Sequence, residues 1–145
     1  MEFYIERIKK FSPELTAAIN NLLSQLDNKV ALLKNEDMEE MVVSPANRLF
    51  VARRSDNKEI VGMLSLIVYR IPVWRKGWLE DLVVDKEYRN KGVATKLFQH
   101  AINVAKSDGV LSLNFTSRPE REAANRLYQS LGFEKRNTNV YCIKL

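Results

Sequence analysis

Between Trp78 and Phe115 the sequence changes its apolar period twice, and that change limits the folds open to it. Trp78 to Val84 ends in the unbroken run Leu82-Val83-Val84, the pattern of a strand covered on both faces. Lys91 to Ser107 then carries Val93, Leu97, Ala101, Val104 and Ala105 at helical spacing, and Asp108-Gly109 stops the helix. Val110 to Phe115 returns to strand character. Strand, helix and strand in that order describe a crossover, which lays a helix against the face of a sheet.

The flanking sequence extends this unit on both sides. Phe3 to Ile8 alternates apolar and polar residues and reads as a first strand. Ser12-Pro13-Glu14 opens a helix with a capping serine, a proline at the first helical position and an acid in the first turn. Leu15, Ile19, Leu22, Leu23 and Leu26 follow at helical spacing, and a short second helix covers Lys34 to Met41. Leu49 to Arg53 and Glu59 to Tyr69 form a hairpin about the turn residues Ser55 to Lys58. Ser117 and Glu120 predict a capping box for a helix reaching Ser130, and Phe133 to Lys135 and Val140 to Leu145 predict two closing strands. The expected order is β-α-α-β-β-β-α-β-α-β-β, a mixed α/β sheet flanked by helices in one domain of residues 1–145.

Several function classes drop out. One cysteine and one histidine cannot supply a Cys/His metal site, and Cys142 has no internal disulfide partner. No metal is therefore expected. His100 lies within a predicted helix without a nucleophile-elbow glycine pattern, which argues against a serine hydrolase. No apolar run approaches a membrane span, and Glu2 and the charges after it do not fit a signal peptide, so no membrane partner and a cytoplasmic location are expected. The net charge of +5 is scattered rather than clustered, which argues against nucleic acid as the partner.

The turn before the long helix is the chemically marked segment. Arg89-Asn90-Lys91-Gly92 sits where a strand delivers the chain to a helix N-terminus, whose unpaired N–H groups and dipole attract anions. Gly92 removes a Cβ where backbone must approach a ligand, Ala94 is the next smallest choice, and Arg89 and Lys91 add formal charge. The pattern suits a pyrophosphate cradle; the alternative is an ordinary strand-to-helix turn with solvated charges. It is neither a Walker loop nor a three-glycine dinucleotide fingerprint.

Arg89-x-x-Gly92-x-Ala94 resembles the acyl-CoA pyrophosphate motif of the GNAT acetyltransferase superfamily, and it follows a strand ending in Leu-Val-Val as it does there. The stretch Ala124-Asn125-Arg126-Leu127-Tyr128-Gln129-Ser130-Leu131-Gly132-Phe133 is similar to the second hallmark of that family, and the element order matches throughout. Ala94 departs from the commoner glycine. The resemblance implies a GNAT-like fold that uses acetyl-CoA to acetylate an amine acceptor. It implies that the backbone of Leu82, Val83 and Val84 pairs with the pantetheine arm. The N–H groups of Arg89, Asn90, Lys91, Gly92, Val93, Ala94 and Thr95 would hold the pyrophosphate, Asn125 the pantetheine, and Tyr128 would face the sulfur. Dimerisation is common in the family, so a homodimer is among the expectations.

Amine acetylation has three requirements. The amine must shed a proton, since its ammonium form has a pKa near ~10.4. The thioester oxygen needs a donor as it gains charge. The leaving thiolate needs an acid. Tyr128 is the expected acid, with a core tyrosine as the alternative. Trp78-Leu79-Glu80-Asp81-Leu82 places two acids in a buried strand, which is costly without work or partners. By similarity to polyamine acetyltransferases, Glu80 is the expected base, and Asp81, of opposite strand parity, would help hold the substrate; helix capping or ion pairing is the alternative, with ordered water as base. Glu36, Asp37, Glu39, Glu40 and Trp78 are further acceptor-side candidates, as are Trp74 for the acceptor slot and Arg118 and Arg121 for the CoA phosphates. A non-catalytic acyl-CoA-binding regulatory module is the other functional expectation.

Overall fold

Each predicted element up to the long helix forms, and the register explains how they stack. The computed structural model describes residues 1–27 and 29–145. Five strands lie in the order β1 (Phe3–Arg7), β2 (Asn47–Arg54), β3 (Ile60–Arg70), β4 (Arg75–Val84) and β5 (Ser112–Asn114). The first four run antiparallel to their neighbours, while β5 is parallel to β4, as its crossover helix requires. Ser12 caps α1 (Pro13–Leu26) as predicted: its side chain accepts the N–H of Leu15. The second helix, α2, covers Asn35–Val43, and α3 covers Val93–Ser107.

The two faces of the sheet carry different layers. Leu49, Val51, Met63 and Val83 share one core with Leu15, Ile19, Leu22 and Leu23 of α1 and Met38 of α2. Strand alternation sends their neighbours Phe50, Leu64 and Gly62 to the other face, where a Cβ on Gly62 would lie 3.2 Å from Val93 and 3.3 Å from Leu97 of α3. Phe50, Leu64, Leu97 and Ala101 are at most 1% exposed. Each such side chain contributes about 1.5–3 kcal/mol for its larger members, so the α3 layer fixes where that helix begins.

By contact the chain divides into two units, residues 1–115 and 116–145. The second contains α4 (Glu122–Ser130), and here the sequence reading needs correction. The predicted capping box of Ser117 and Glu120 does not form, because the helix starts at Glu122 with Arg121 as its cap, too far along for the Ser117 hydroxyl to reach. A turn intervenes, closed by the Arg121 N–H on the Arg118 carbonyl. The two predicted closing strands are also absent: residues 133–145 make no strand, and the described sheet ends at β5. Val140, Tyr141 and Ile143 are 70%, 88% and 81% exposed. Their β propensity reports a fit to a pleated, half-buried surface and does not itself supply a ladder partner. Among the described residues no helix is long and apolar enough to cross a membrane.

Candidate active site

The site is built on β4, whose two halves are paired differently. Lys76, Gly77 and Trp78 pair with β5 on one edge and with β3 on the other. Among the described residues, Leu79 to Val84 is paired on its β3 edge only. The ladder is also interrupted there, since Met63 pairs with Val83 and Ser65 with Glu80. Between these pairs one residue of β3, Leu64, faces two of β4, Asp81 and Leu82, a bulge, and Asp81 takes it up with a left-handed φ of 54°. Bulges bend and twist a strand, and this one lies where β4 parts from β5.

The bulge corrects the expected setting of the acids. Glu80 and Asp81 are both exposed, so neither is a charge forced into a buried strand. Strict alternation would have put them on opposite faces; the extra residue breaks the alternation at that point. Glu80 pairs with Ser65, which sits between Leu49 and the β4 edge in the row facing α1 and α2. Trp78, two residues before it on the same face, donates its indole N–H to Glu80 Oε1 at 2.6 Å. The pair therefore acts as one unit: the indole orients a carboxylate that keeps its second oxygen. Glu36 is exposed on α2, while Asp37 accepts the Lys34 backbone N–H at 3.0 Å, the capping role that its position offers.

Beyond Val84 the chain makes a tightly held turn. Asp85 Oδ1 accepts the Glu87 N–H at 2.9 Å and starts a single 3-10 turn, Lys86–Tyr88. Burial opposes the charge on Asp85, but the Glu87 N–H, the Gln25 amide and the cations of Lys86 and Arg89 outweigh it and hold its carboxyl below the usual range. Tyr88 anchors the far end of the turn. Its hydroxyl donates to Glu59 Oε2 at 2.9 Å and accepts from Arg54 Nη1 at 3.0 Å, and its ring meets Phe3 edge-on. Asn90 and Gly92 then both adopt left-handed backbone, with φ of 60° and 80°. A Cβ on Gly92 would meet nothing within 4 Å, so that surface is open.

Arg89, Asn90, Lys91 and Gly92 are all exposed, whereas Val93 is 1% exposed and pins the start of α3 against the sheet. The first bond of α3 runs from the Lys96 N–H to the Gly92 carbonyl, so the N–H groups of Val93, Ala94 and Thr95 precede the helical ladder. Left-handed residues followed by a helix start form a concave array of N–H groups that suits an anion, and two cationic side chains stand beside it. The residues thus fit the pyrophosphate of a CoA ester. At the end of β4 the Val84 carbonyl accepts Arg89 Nε at 3.1 Å.

Asn125 and Tyr128 belong to the second unit. Asn125 Nδ2 donates to the Arg118 carbonyl at 3.1 Å and so secures the loop ahead of α4. Tyr128 is 8% exposed, and its carbonyl accepts the N–H groups of Leu131 and Phe133. The reading of the sequence missed two features of the first unit, the bulge at Asp81 and the amide of Gln25 at Asp85. Consecutive polar residues in mid-strand were the available signal for the bulge. Nothing local signals Gln25. His100 plays no part here; it meets Phe50 edge-on, and burial lowers its pKa.

Comparison with known proteins agrees with this geometry. Residues 16–133 match the model of the Acetyltransferase (GNAT) family. Human N-acetyltransferase 8 is 28% identical over 109 residues, covering 74% of this chain and 48% of that protein. N-alpha-acetyltransferase 30 of Schizosaccharomyces pombe is 38% identical over 58 residues, covering 40% of this chain and 39% of the relative. The chain thus spans half or less of the length of these relatives. Among solved structures, a Trypanosoma brucei acetyltransferase superposes with a TM-score of 0.81 at 19% identity, over 99% of this chain and 100% of the other, a likeness of fold. With the family match extending over most of its length, the chain belongs to the GNAT acetyltransferase family, whose members use acetyl-CoA.

Proposed function

We propose that this chain, acting as one catalytic domain over residues 1–145, transfers the acetyl group of acetyl-CoA to a primary amine of a small molecule or protein, by direct attack in a ternary complex. The observation that carries the reading is the one-edged half of β4 running into the left-handed turn and open helix start of α3. The free edge of Leu82, Val83 and Val84 offers backbone groups to the amides of the pantetheine arm, as an added strand would use them. The N–H groups from Arg89 to Thr95 receive the pyrophosphate. Relatives named for N-acetyl transfer support nitrogen as the accepting atom.

The chemistry then assigns roles. Glu80, held by the Trp78 indole, takes the ammonium proton through water. The neutral amine attacks the thioester carbon, and a backbone N–H on β4 stabilises the oxygen as it becomes negative. As the carbon–sulfur bond breaks, the nitrogen gives up its second proton to water, Tyr128 donates its phenolic proton to the thiolate and regains one from solvent, and Glu80 releases its proton to solvent. Asn125 takes the pantetheine arm through its amide oxygen, since its nitrogen donates within its own loop. Asp81, with Glu80 and the α2 acids Glu36, Glu39 and Glu40, favours a cationic acceptor.

Calorimetric titration with acetyl-CoA, followed by thiol release across a panel of amines, tests the proposal. Binding and amine-dependent thiol release are expected, with dicationic amines ahead of anionic ones in kcat/KM. No binding would overturn the reading, and binding without release on any amine would favour the regulatory module instead. In Tyr128→Phe, kcat should fall by about 10²- to 10⁴-fold, with acetyl-CoA affinity moving much less.

A further inference from the structure

The turn that leads to α3 is held from a distant part of the chain. Gln25, in the last turn of α1, uses both ends of its amide. Its Nε2 donates to Asp85 Oδ2 at 3.1 Å, and its Oε1 accepts the Lys86 backbone N–H at 2.9 Å. Asp85 is tied at three further points. Its N–H donates to the Val61 carbonyl at 2.8 Å, its carbonyl accepts the Tyr88 N–H at 2.8 Å, and its second carboxylate oxygen accepts the Glu87 N–H. Gln25 therefore links the α1 layer to the start of a turn whose other ties run to β3, to itself and, at its Tyr88 end, to Glu59, Arg54 and Phe3.

The pattern asks for an amide specifically. One partner is a carboxylate that needs a donor, and the other is a backbone N–H that needs an acceptor. Alanine meets neither need, and a carboxylate meets only the second while facing Asp85 with like charge. The core does not demand Gln25, since Leu22 and Leu23 already bury the α1 face against Val83. Tyr88 and Val93 have their own anchors at the downstream end. The segment left to Gln25 is the beginning of the turn, from which the direction of Arg89 to Thr95 follows.

We propose that Gln25 is a positioning residue for the cofactor cradle: by clamping Asp85 and Lys86 it sets the orientation in which the turn and the α3 N-terminus present their N–H groups to the acetyl-CoA pyrophosphate. The inference rests on the cofactor reading given above. It assigns to α1 a part in cofactor affinity.

A donor–acceptor exchange tests it. In Gln25→Ala the acetyl-CoA Kd, measured by calorimetry, should rise by about tenfold, the scale of one hydrogen bond to a charged group. The rate at saturating acetyl-CoA should change much less. Gln25→Glu should lose at least as much affinity. Combining Gln25→Glu with Asp85→Asn reverses the pair: the amide at position 85 donates to the carboxylate at 25, which still accepts the Lys86 N–H, and the amide oxygen still accepts the Glu87 N–H. That double variant should recover most of the affinity. Should Gln25→Ala fail to fold, the double variant carries the test alone, with recovery supporting the clamp and its absence overturning it. Unchanged affinity in both single variants, or loss that tracks a falling Tm without recovery in the double, overturns the inference and leaves the cofactor reading intact. If the wild-type protein does not bind acetyl-CoA, the cofactor reading fails and this inference with it.

Discussion

The two halves of β4 differ in what holds them. From Arg75 to Trp78 the strand is bonded on both edges, and Gly77 lets β5 approach so closely that a Cβ there would sit 2.5 Å from Leu113 Cδ2. Arg75 is further tied to Asp108 at the end of α3, at 2.6 Å, and Asp108 also pairs with Arg48 of β2. From Leu79 to Val84 one edge has no strand partner among the described residues, a bulge interrupts the other, and Gly92, in the turn that follows, faces open space. One half spends its backbone groups on the sheet, and the other keeps an edge available. A strand can thus brace a fold and serve a ligand along different stretches, provided its neighbour parts from it between them.

This division predicts that substitutions along the open half change activity with little loss of fold, and those along the paired half do the reverse. The largest effect is expected for Glu80→Gln. Glutamine keeps an oxygen for the Trp78 indole but cannot take a proton, so kcat at neutral pH should fall by about 10²-fold or more. The rise of rate with pH should move upward, because only free amine then reacts. An unchanged pH profile would return Glu80 to a structural role. Next comes Gly92→Val. Left-handed backbone costs a branched residue about 1–3 kcal/mol, yet the space is open, so the fold should survive while acetyl-CoA binding falls by about tenfold or more. Wild-type affinity by calorimetry would count against the cradle.

The paired half should respond in stability. In Gly77→Val the added methyls must displace Leu113 and Val110, at about 1–3 kcal/mol in denaturant unfolding, with acetyl-CoA affinity kept in the folded fraction. Loss of affinity at unchanged stability would break the comparison. The smallest effect belongs to Asp108→Asn. The hydrogen bonds from Arg75 and then Arg48 hold the Asp108 carboxyl below its usual range. A carboxylate whose folded pKa is depressed adds stability that is full above its unfolded pKa of about 3.9 and fades as pH falls through the folded value. Solvent screens the partly exposed Asp108–Arg75 pair, so wild type should exceed the variant by about 1–2 kcal/mol at pH 7; the gap should start to close below about pH 4 and vanish below the depressed folded pKa. A gap that persists in acid would assign the difference to packing.

What was legible in the sequence was local. The Ser12-Pro13 start of α1 and the apolar stripe of α3 each follow from a residue and its near neighbours, and both stand in the structure. So did the sheet through β5, because burial writes its period along each strand. Local signals also failed where a distant condition decided the outcome. Ser117 has the chemistry of a cap, but the turn held by Asn125 delays the helix past its reach. Val140 to Leu145 has strand composition without a described ladder partner. The candidate site divides in the same way. Its residue types and the Arg89-to-Ala94 spacing were readable, because helix starts and glycine conformations are set within a few residues. The open edge of β4, the bulge that exposes Glu80 and Asp81, and the amide of Gln25 against Asp85 were settled only by tertiary structure. Each depends on pairing between segments far apart in sequence, and no side chain's own propensity encodes which partner it will meet.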